Sequence, residues 1–143
     1  MAPERCCHQR GASSPTPHEK LPESVLVLDD EAVIRSLAGT MLGFLGYAAT
    51  TSATGEEAIE HYECARASGA PYFTVIMDLT IHVGMGGKDA AQQILLLDPA
   101  ARLIVSSWYS DDPVVANHAW YGFRSMLPKP YRLAEMTNVL AGM

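Results

Sequence analysis

Two short apolar runs that each end in acid constrain this sequence most. Ser24-Val25-Leu26-Val27-Leu28 runs into Asp29-Asp30-Glu31, and Phe73-Thr74-Val75-Ile76-Met77 runs into Asp78. Continuous runs of this length predict strands buried on both faces, as in a parallel sheet covered by helices. At the carboxyl edge of such a sheet the loops form the crevice where ligands bind. A carboxylate delivered there by a buried strand is a candidate site residue, and Asp78 stands alone at the end of its run.

Between and after these runs the pattern alternates. Ile34, Leu37, Ala38, Met41, Leu42 and Leu45 recur at three and four, predicting an amphipathic helix over 31–45 that stops at Gly46. Tyr47 to Thr51 reads as a weaker, more polar strand. Thr54-Gly55-Glu56-Glu57 has capping-box spacing and opens a helix through Ala58, Ile59, Tyr62 and Ala65. After the Asp78 strand a glycine-rich connection, Ile81 to Gly87, leads to a helix carrying Ala91, Ile94 and Leu95, ended by Asp98-Pro99. Leu103-Ile104-Val105 is a fourth strand, ending in the hydroxyls of Ser106 and Ser107. Asp112-Pro113 predicts the start of a helix closed by Gly122. Ser125-Met126-Leu127 is a fifth strand running into Pro128-Lys129-Pro130, and Leu133, Met136, Val139 and Leu140 trace a last helix.

Strict strand-helix alternation implies an α/β fold: a doubly wound, five-stranded parallel sheet with five helices. Strand order 2-1-3-4-5 follows, with strands 2 and 5 outside because they are the least apolar. A chain of 143 residues, 48% hydrophobic, suits one domain, expected over residues 23–143. Residues 1–22 lack hydrophobic periodicity and are expected to form a disordered tail or linker. The net charge of −6 and the lack of a basic stripe argue against nucleic acid as a partner. No apolar run is long enough to span a membrane or to direct secretion. Cys6, Cys7 and Cys64 form no disulfide framework, which fits a reducing cytoplasm. Cys6, Cys7 and His8 lack structured partners at metal-ligand spacing.

The predicted topology brings Asp29, Asp30, Asp78, Ser106 and Lys129 to one edge of the sheet. Crowded aspartates repel, and a hard divalent cation with oxygen ligands, Mg²⁺ in particular, relieves the repulsion. Such an ion and Lys129 would neutralise an incoming phosphoryl group while a carboxylate attacks it, and the Ser106 hydroxyl would bond a phosphoryl oxygen. Asp78 is the expected nucleophile.

These residues resemble the receiver domain of two-component response regulators, the CheY-like family, whose fold is flavodoxin-like. The resemblance runs from about Ser24 to the end. It rests on Val25 to Glu31, Val75 to Asp78, Val105-Ser106 and Lys129-Pro130 in order. It implies Asp78 as phosphoacceptor, Ser106 as switch hydroxyl and Lys129 as phosphate-sensing lysine. It also implies Mg²⁺ held by Asp30, Asp78 and the Thr80 carbonyl, with Asp29 acting through water, and a cis Lys129-Pro130 bond. The implied partners are a histidine kinase or a histidine phosphotransfer protein, in a phosphorelay reported by contact through the fourth helix, fifth strand and fifth helix. Such a domain catalyses its own aspartyl phosphorylation and turns over no metabolite. Gly84-Met85-Gly86-Gly87, Tyr121-Gly122-Phe123 and Leu127-Pro128-Lys129-Pro130-Tyr131 are worded like the C-terminal receivers of hybrid sensor histidine kinases.

Three positions depart from the family pattern. Met126 stands where many receivers carry an aromatic switch residue, His82 replaces a common proline, and Trp108 sits two after Ser106, where its bulk would shield an acyl phosphate from water. The alternative reading is a receiver-fold interaction module that is no longer phosphorylated. A phosphohydrolase of the haloacid-dehalogenase kind would want an acid at Thr80, and a flavodoxin-like cofactor site would not place acids after its first strand.

Overall fold

The computed structural model describes residues 23–79, 85–108 and 117–143. Within them the chain forms β1 (Ser24–Leu28), α1 (Ala32–Phe44), β2 (Ala48–Ser52), α2 (Gly55–Ala67) and β3 (Thr74–Asp78). It continues through α3 (Gly87–Leu97), β4 (Leu103–Ser107), a 3₁₀ turn (His118–Tyr121), β5 (Ser125–Pro128) and α4 (Leu133–Ala141). The five strands lie in the order β2-β1-β3-β4-β5, every neighbouring pair parallel, which is the order expected from the sequence.

Side-chain alternation along the strands sorts the apolar residues into two cores. Leu26 and Leu28, Val75 and Met77, and Leu103 and Val105 face α2 and α3, where Ala58, Tyr62, Ala91 and Ile94 meet them. Val25, Val27, Ile76, Ile104 and Leu127 point the other way and pack on Ile34 and Leu42 of α1 and Met136 and Leu140 of α4. Each fully buried Leu or Ile contributes about 1.5–3 kcal/mol. The inner strands β3 and β4 are buried throughout, while in β2 only Ser52 is. The weak apolar character of β2 thus reflects its place at the sheet edge.

Local signals set the element ends. Glu31 and Leu45 cap α1, and Gly46 after it takes a left-handed φ of 93°. The Thr54 hydroxyl accepts from Glu57 N at 3.2 Å, and the Glu57 carboxylate accepts from Ala53 N at 2.8 Å, one residue before the N-cap. One expectation changes. The helix predicted between β4 and β5 starts at Asp112, outside the described residues, and its described end, His118–Tyr121, is a 3₁₀ turn. There the amide of Gly122 bonds back to Ala119 O at 3.1 Å, an i to i−3 closure. The described residues therefore hold four α-helices rather than five. The predicted tail, residues 1–22, also lies outside the described residues.

Candidate functional site

Four strands deliver the site, all on the face packed by α1 and α4. Asp29 follows Val27 by two, Asp78 follows Ile76, Ser106 follows Ile104 and Lys129 follows Leu127, so the period-two rule that buries the apolar residues also aims these four together. Asp78 and Ser106 are register partners on β3 and β4. All four are buried, with Asp29 and Ser106 at 0% exposure and Asp78 at 1%.

The backbone around them is braced. Asp29 Oδ1 accepts from Glu31 N at 2.9 Å, and Arg35, one turn into α1, donates to the Asp29 carbonyl at 2.7 Å. Lys129 N donates to Ser107 O at 3.0 Å, and the Lys129-Pro130 peptide is cis. Gly87 is required where α3 begins, because a Cβ there would lie 2.1 Å from the Asp78 carbonyl oxygen. Glu56 of α2 reaches across to Met85 N at 3.0 Å, and Gly55 N donates to Met85 O at 3.1 Å, which ties the end of the β3–α3 connection to the start of α2. That backbone donor, with one from Glu56 itself, holds the Glu56 carboxyl below its usual value.

Lys129 Nζ sits between two carboxylates, 2.6 Å from Asp29 Oδ2 and 2.9 Å from Asp78 Oδ1. Burial pulls the lysine's pKa down, but the close carboxylates of Asp29 and Asp78 outweigh it, and the net direction is upward. The geometry is that of ion pairs: Asp29 Oδ2 and Lys129 Nζ are buried atoms with no well-angled hydrogen bond among the described residues. Asp30 joins the group, and one carboxylate oxygen from each of Asp29, Asp30 and Asp78 lies within 4.8 Å of the others. Three carboxylates against one ammonium leave an excess of negative charge.

Two aromatic residues complete the surroundings. Trp108, just past β4 and 43% exposed, donates from Nε1 to Glu31 Oε1 at 3.3 Å, and its ring centroid is 5.5 Å from Lys129 Nζ. It spans from the end of β4 to the start of α1 beside the acidic group. Tyr131, buried, places its hydroxyl 2.9 Å from Ser106 Oγ.

These features match a known family over most of the chain. The response regulator receiver domain matches residues 25–141. This chain belongs to that family. The chemotaxis protein CheY of Thermotoga maritima is 30% identical over 117 residues, covering 81% of this chain and 92% of that protein. Among solved structures, CheY in the CheX–CheY–BeF₃–Mg complex of Borrelia burgdorferi superposes with a TM-score of 0.77 at 24% identity, covering 85% of this chain and 89% of that one. The receiver domain of the sensor histidine kinase PA1611 from Pseudomonas aeruginosa, solved with a magnesium ion in its active-site cleft, gives 0.70 at 23%, covering 85% and 96%. At those identities the likeness of the structures shows the fold.

Asp29, Asp30, Asp78, Ser106 and Lys129 are therefore at one edge, as the sequence predicted. Thr80, expected to offer its carbonyl, and His82 lie outside the described residues. Sequence reasoning missed Tyr131, Arg35 and the link from Glu31 to Trp108. Tyr131 stands two after Lys129 but beyond the end of β5, so the alternation that aligns Leu127 and Lys129 did not place its hydroxyl beside Ser106 in advance. Met126, out of phase with them, packs with the α2–α3 core instead.

No helix among the described residues is long and apolar enough to cross a membrane.

Proposed function

We propose that this receiver accepts a phosphoryl group on the Asp78 carboxylate, from a histidine kinase or histidine phosphotransfer protein, with Mg²⁺, and signals by protein contact. The observation that carries the reading is the buried ion triad, in which Lys129 Nζ lies 2.6 Å from Asp29 and 2.9 Å from Asp78. A buried ammonium shared by two carboxylates is costly to assemble and stabilises a fold poorly compared with apolar packing. Its position at the carboxyl edge fits a site that handles a dianion.

The donor set fits Mg²⁺. Its three clustered carboxylates are hard oxygen ligands, and their charge exceeds what Lys129 neutralises. Asp29 Oδ2, ion-paired to Lys129, is also a buried oxygen without a well-angled hydrogen bond among the described residues. Asp29, Asp30 and Asp78 would hold the ion, with the Thr80 carbonyl as a further ligand suggested by the family. When bound, the cation supplies charge neutralisation for the phosphoryl oxygens. Asp78 attacks phosphorus through a carboxylate oxygen, forming the O–P bond as the P–N bond to the donor imidazole breaks, and the bond's electrons leave with that nitrogen. Lys129 balances the charge that arrives, and Ser106 donates its hydroxyl to a phosphoryl oxygen. Trp108 lies over the site's margin and limits water's approach to the acyl phosphate.

Support comes from the relatives named above, two of which were solved with magnesium or with a beryllofluoride–magnesium pair. The test is intact mass after incubation with a small phosphodonor and Mg²⁺. One added phosphate in the wild type, absent in Asp78→Ala and absent without metal, is expected. An adduct of equal extent in Asp78→Ala overturns the assignment.

A further inference from the structure

Phosphoryl acceptance as outlined does not use the buried 2.9 Å bond between Ser106 Oγ and the Tyr131 hydroxyl. Ser106 is fully buried and Tyr131 is 4% exposed, so water does not readily replace either partner. Both are hydroxyls, and either can donate. The phenol is the stronger acid and the better donor, while the alkyl hydroxyl oxygen is the better acceptor. Tyr131 O–H to Ser106 Oγ is thus the favoured direction. It occupies one lone pair of the serine and leaves the serine's own proton for a second acceptor.

The second acceptor has a defined direction. Ser106 pairs in register with Asp78 on the neighbouring strand, and both project from the α1–α4 face at the carboxyl edge. A phosphoryl oxygen carried by Asp78 is an acceptor without protons of its own, so a serine that already accepts from Tyr131 meets it as a donor. A donor that is itself hydrogen-bonded is polarised and held in one rotamer. Burial raises the Tyr131 pKa, with Asp29 and Asp78 adding to the effect against Ser106, so the phenol keeps its proton.

We infer that Tyr131 is a positioning residue: its hydroxyl fixes Ser106 as a hydrogen-bond donor to the phosphoryl group. The aromatic partner of the serine thus comes from the loop after Lys129 on the α1–α4 face, while Met126 fills space on the opposite face.

Because this role for Tyr131 rests on the phosphoacceptor reading of Asp78, the measurement is a titration of the full chain with beryllofluoride and Mg²⁺. Wild type, Tyr131→Phe, Ser106→Ala and the double variant are compared. Tyr131→Phe removes one oxygen and leaves the ring in its apolar bed. Loss of one hydrogen bond predicts an affinity about 3- to 10-fold weaker in Tyr131→Phe. In the Ser106→Ala background the same change should have no further effect, which a purely structural ring would not produce. Equal weakening in both backgrounds, unchanged affinity, or tighter binding by Tyr131→Phe overturns the inference while leaving the phosphoacceptor reading in place. Tighter binding would make the tyrosine a latch that withholds the serine. Absence of binding in the wild type overturns the phosphoacceptor reading and this role together.

Discussion

The two faces of the sheet are built from the same strands and part company only over the last residue or two at the carboxyl edge. On the α2–α3 face the strands are apolar through Leu28, Met77 and Val105, and only β4 goes on to a buried hydroxyl, Ser107. On the α1–α4 face Val27 is followed by Asp29, Ile76 by Asp78, Ile104 by Ser106 and Leu127 by Lys129. Each face also buries a tyrosine with one hydroxyl partner. Tyr62 donates to Asp98 Oδ2 at 2.8 Å, where that carboxylate ends α3, and Tyr131 meets Ser106 beside the ion triad. Chemically alike contacts thus do different work: one fastens a helix end, the other sits where a phosphoryl group would arrive. The period of two in a strand lets one face remain core while the other changes to chemistry within a single residue step.

Changes to the active-site face should be the costliest. Lys129→Met leaves Asp29 and Asp78 without their shared cation and is expected to lower metal-free stability by about 3 kcal/mol in urea unfolding. Mg²⁺ should recover part of that loss; no loss would mean that the triad is not held together by charge. Asp30→Asn relieves repulsion within the acidic group, so metal-free stability should rise by about 1–2 kcal/mol while Mg²⁺ binding, followed by calorimetry, weakens.

The opposite face should answer differently. Tyr62→Phe is expected to cost about 1 kcal/mol by removing the bond to Asp98, with beryllofluoride affinity unchanged. Burial, then the Asp98 carboxylate, raises the Tyr62 pKa. A raised folded value means its contribution is intact below the ordinary tyrosine value of about 10 and is lost as pH rises beyond it. Wild-type stability should therefore fall more steeply with pH above that point than that of Tyr62→Phe, measured by unfolding at stepped alkaline pH. Altered beryllofluoride binding in Tyr62→Phe would break the division between faces. The smallest effect is expected at Trp108, where Trp108→Gly should shorten the acyl-phosphate half-life on the order of threefold. An unchanged or longer half-life would leave Trp108 with only its contacts to Glu31 and Lys129.

The sheet was legible in the sequence because buried parallel strands and amphipathic helices have different periods, and the turn at Gly46 and the cap at Thr54 carry their own chemistry. Asp29, Asp30, Asp78, Ser106 and Lys129 were legible because each falls at or just past the carboxyl end of a strand. The contacts of Tyr131, Arg35 and Trp108 were not. Tyr131 was noted only within the Leu127-Pro128-Lys129-Pro130-Tyr131 wording, because its role depends on which face the chain takes after Pro130. Arg35 and Trp108 act between elements, Arg35 through a backbone carbonyl and Trp108 through a Glu31 carboxylate brought beside it from 77 residues earlier in the chain. The segment ending in the 3₁₀ turn at His118–Tyr121 was read as helix from the Asp112-Pro113 start and the Gly122 stop, signals that do not separate periods of 3.0 and 3.6.

The phosphoacceptor assignment is tested most directly by locating the phosphoryl group. The protein is phosphorylated with a small donor and Mg²⁺, the acyl phosphate is reduced with borohydride, and the peptides are sequenced by mass spectrometry. Reduction converts a phosphoaspartate to homoserine, and the account predicts that conversion at Asp78, with Asp29 and Asp30 intact. Homoserine at Asp29 or Asp30, or a phosphate that survives on Ser106, would contradict it.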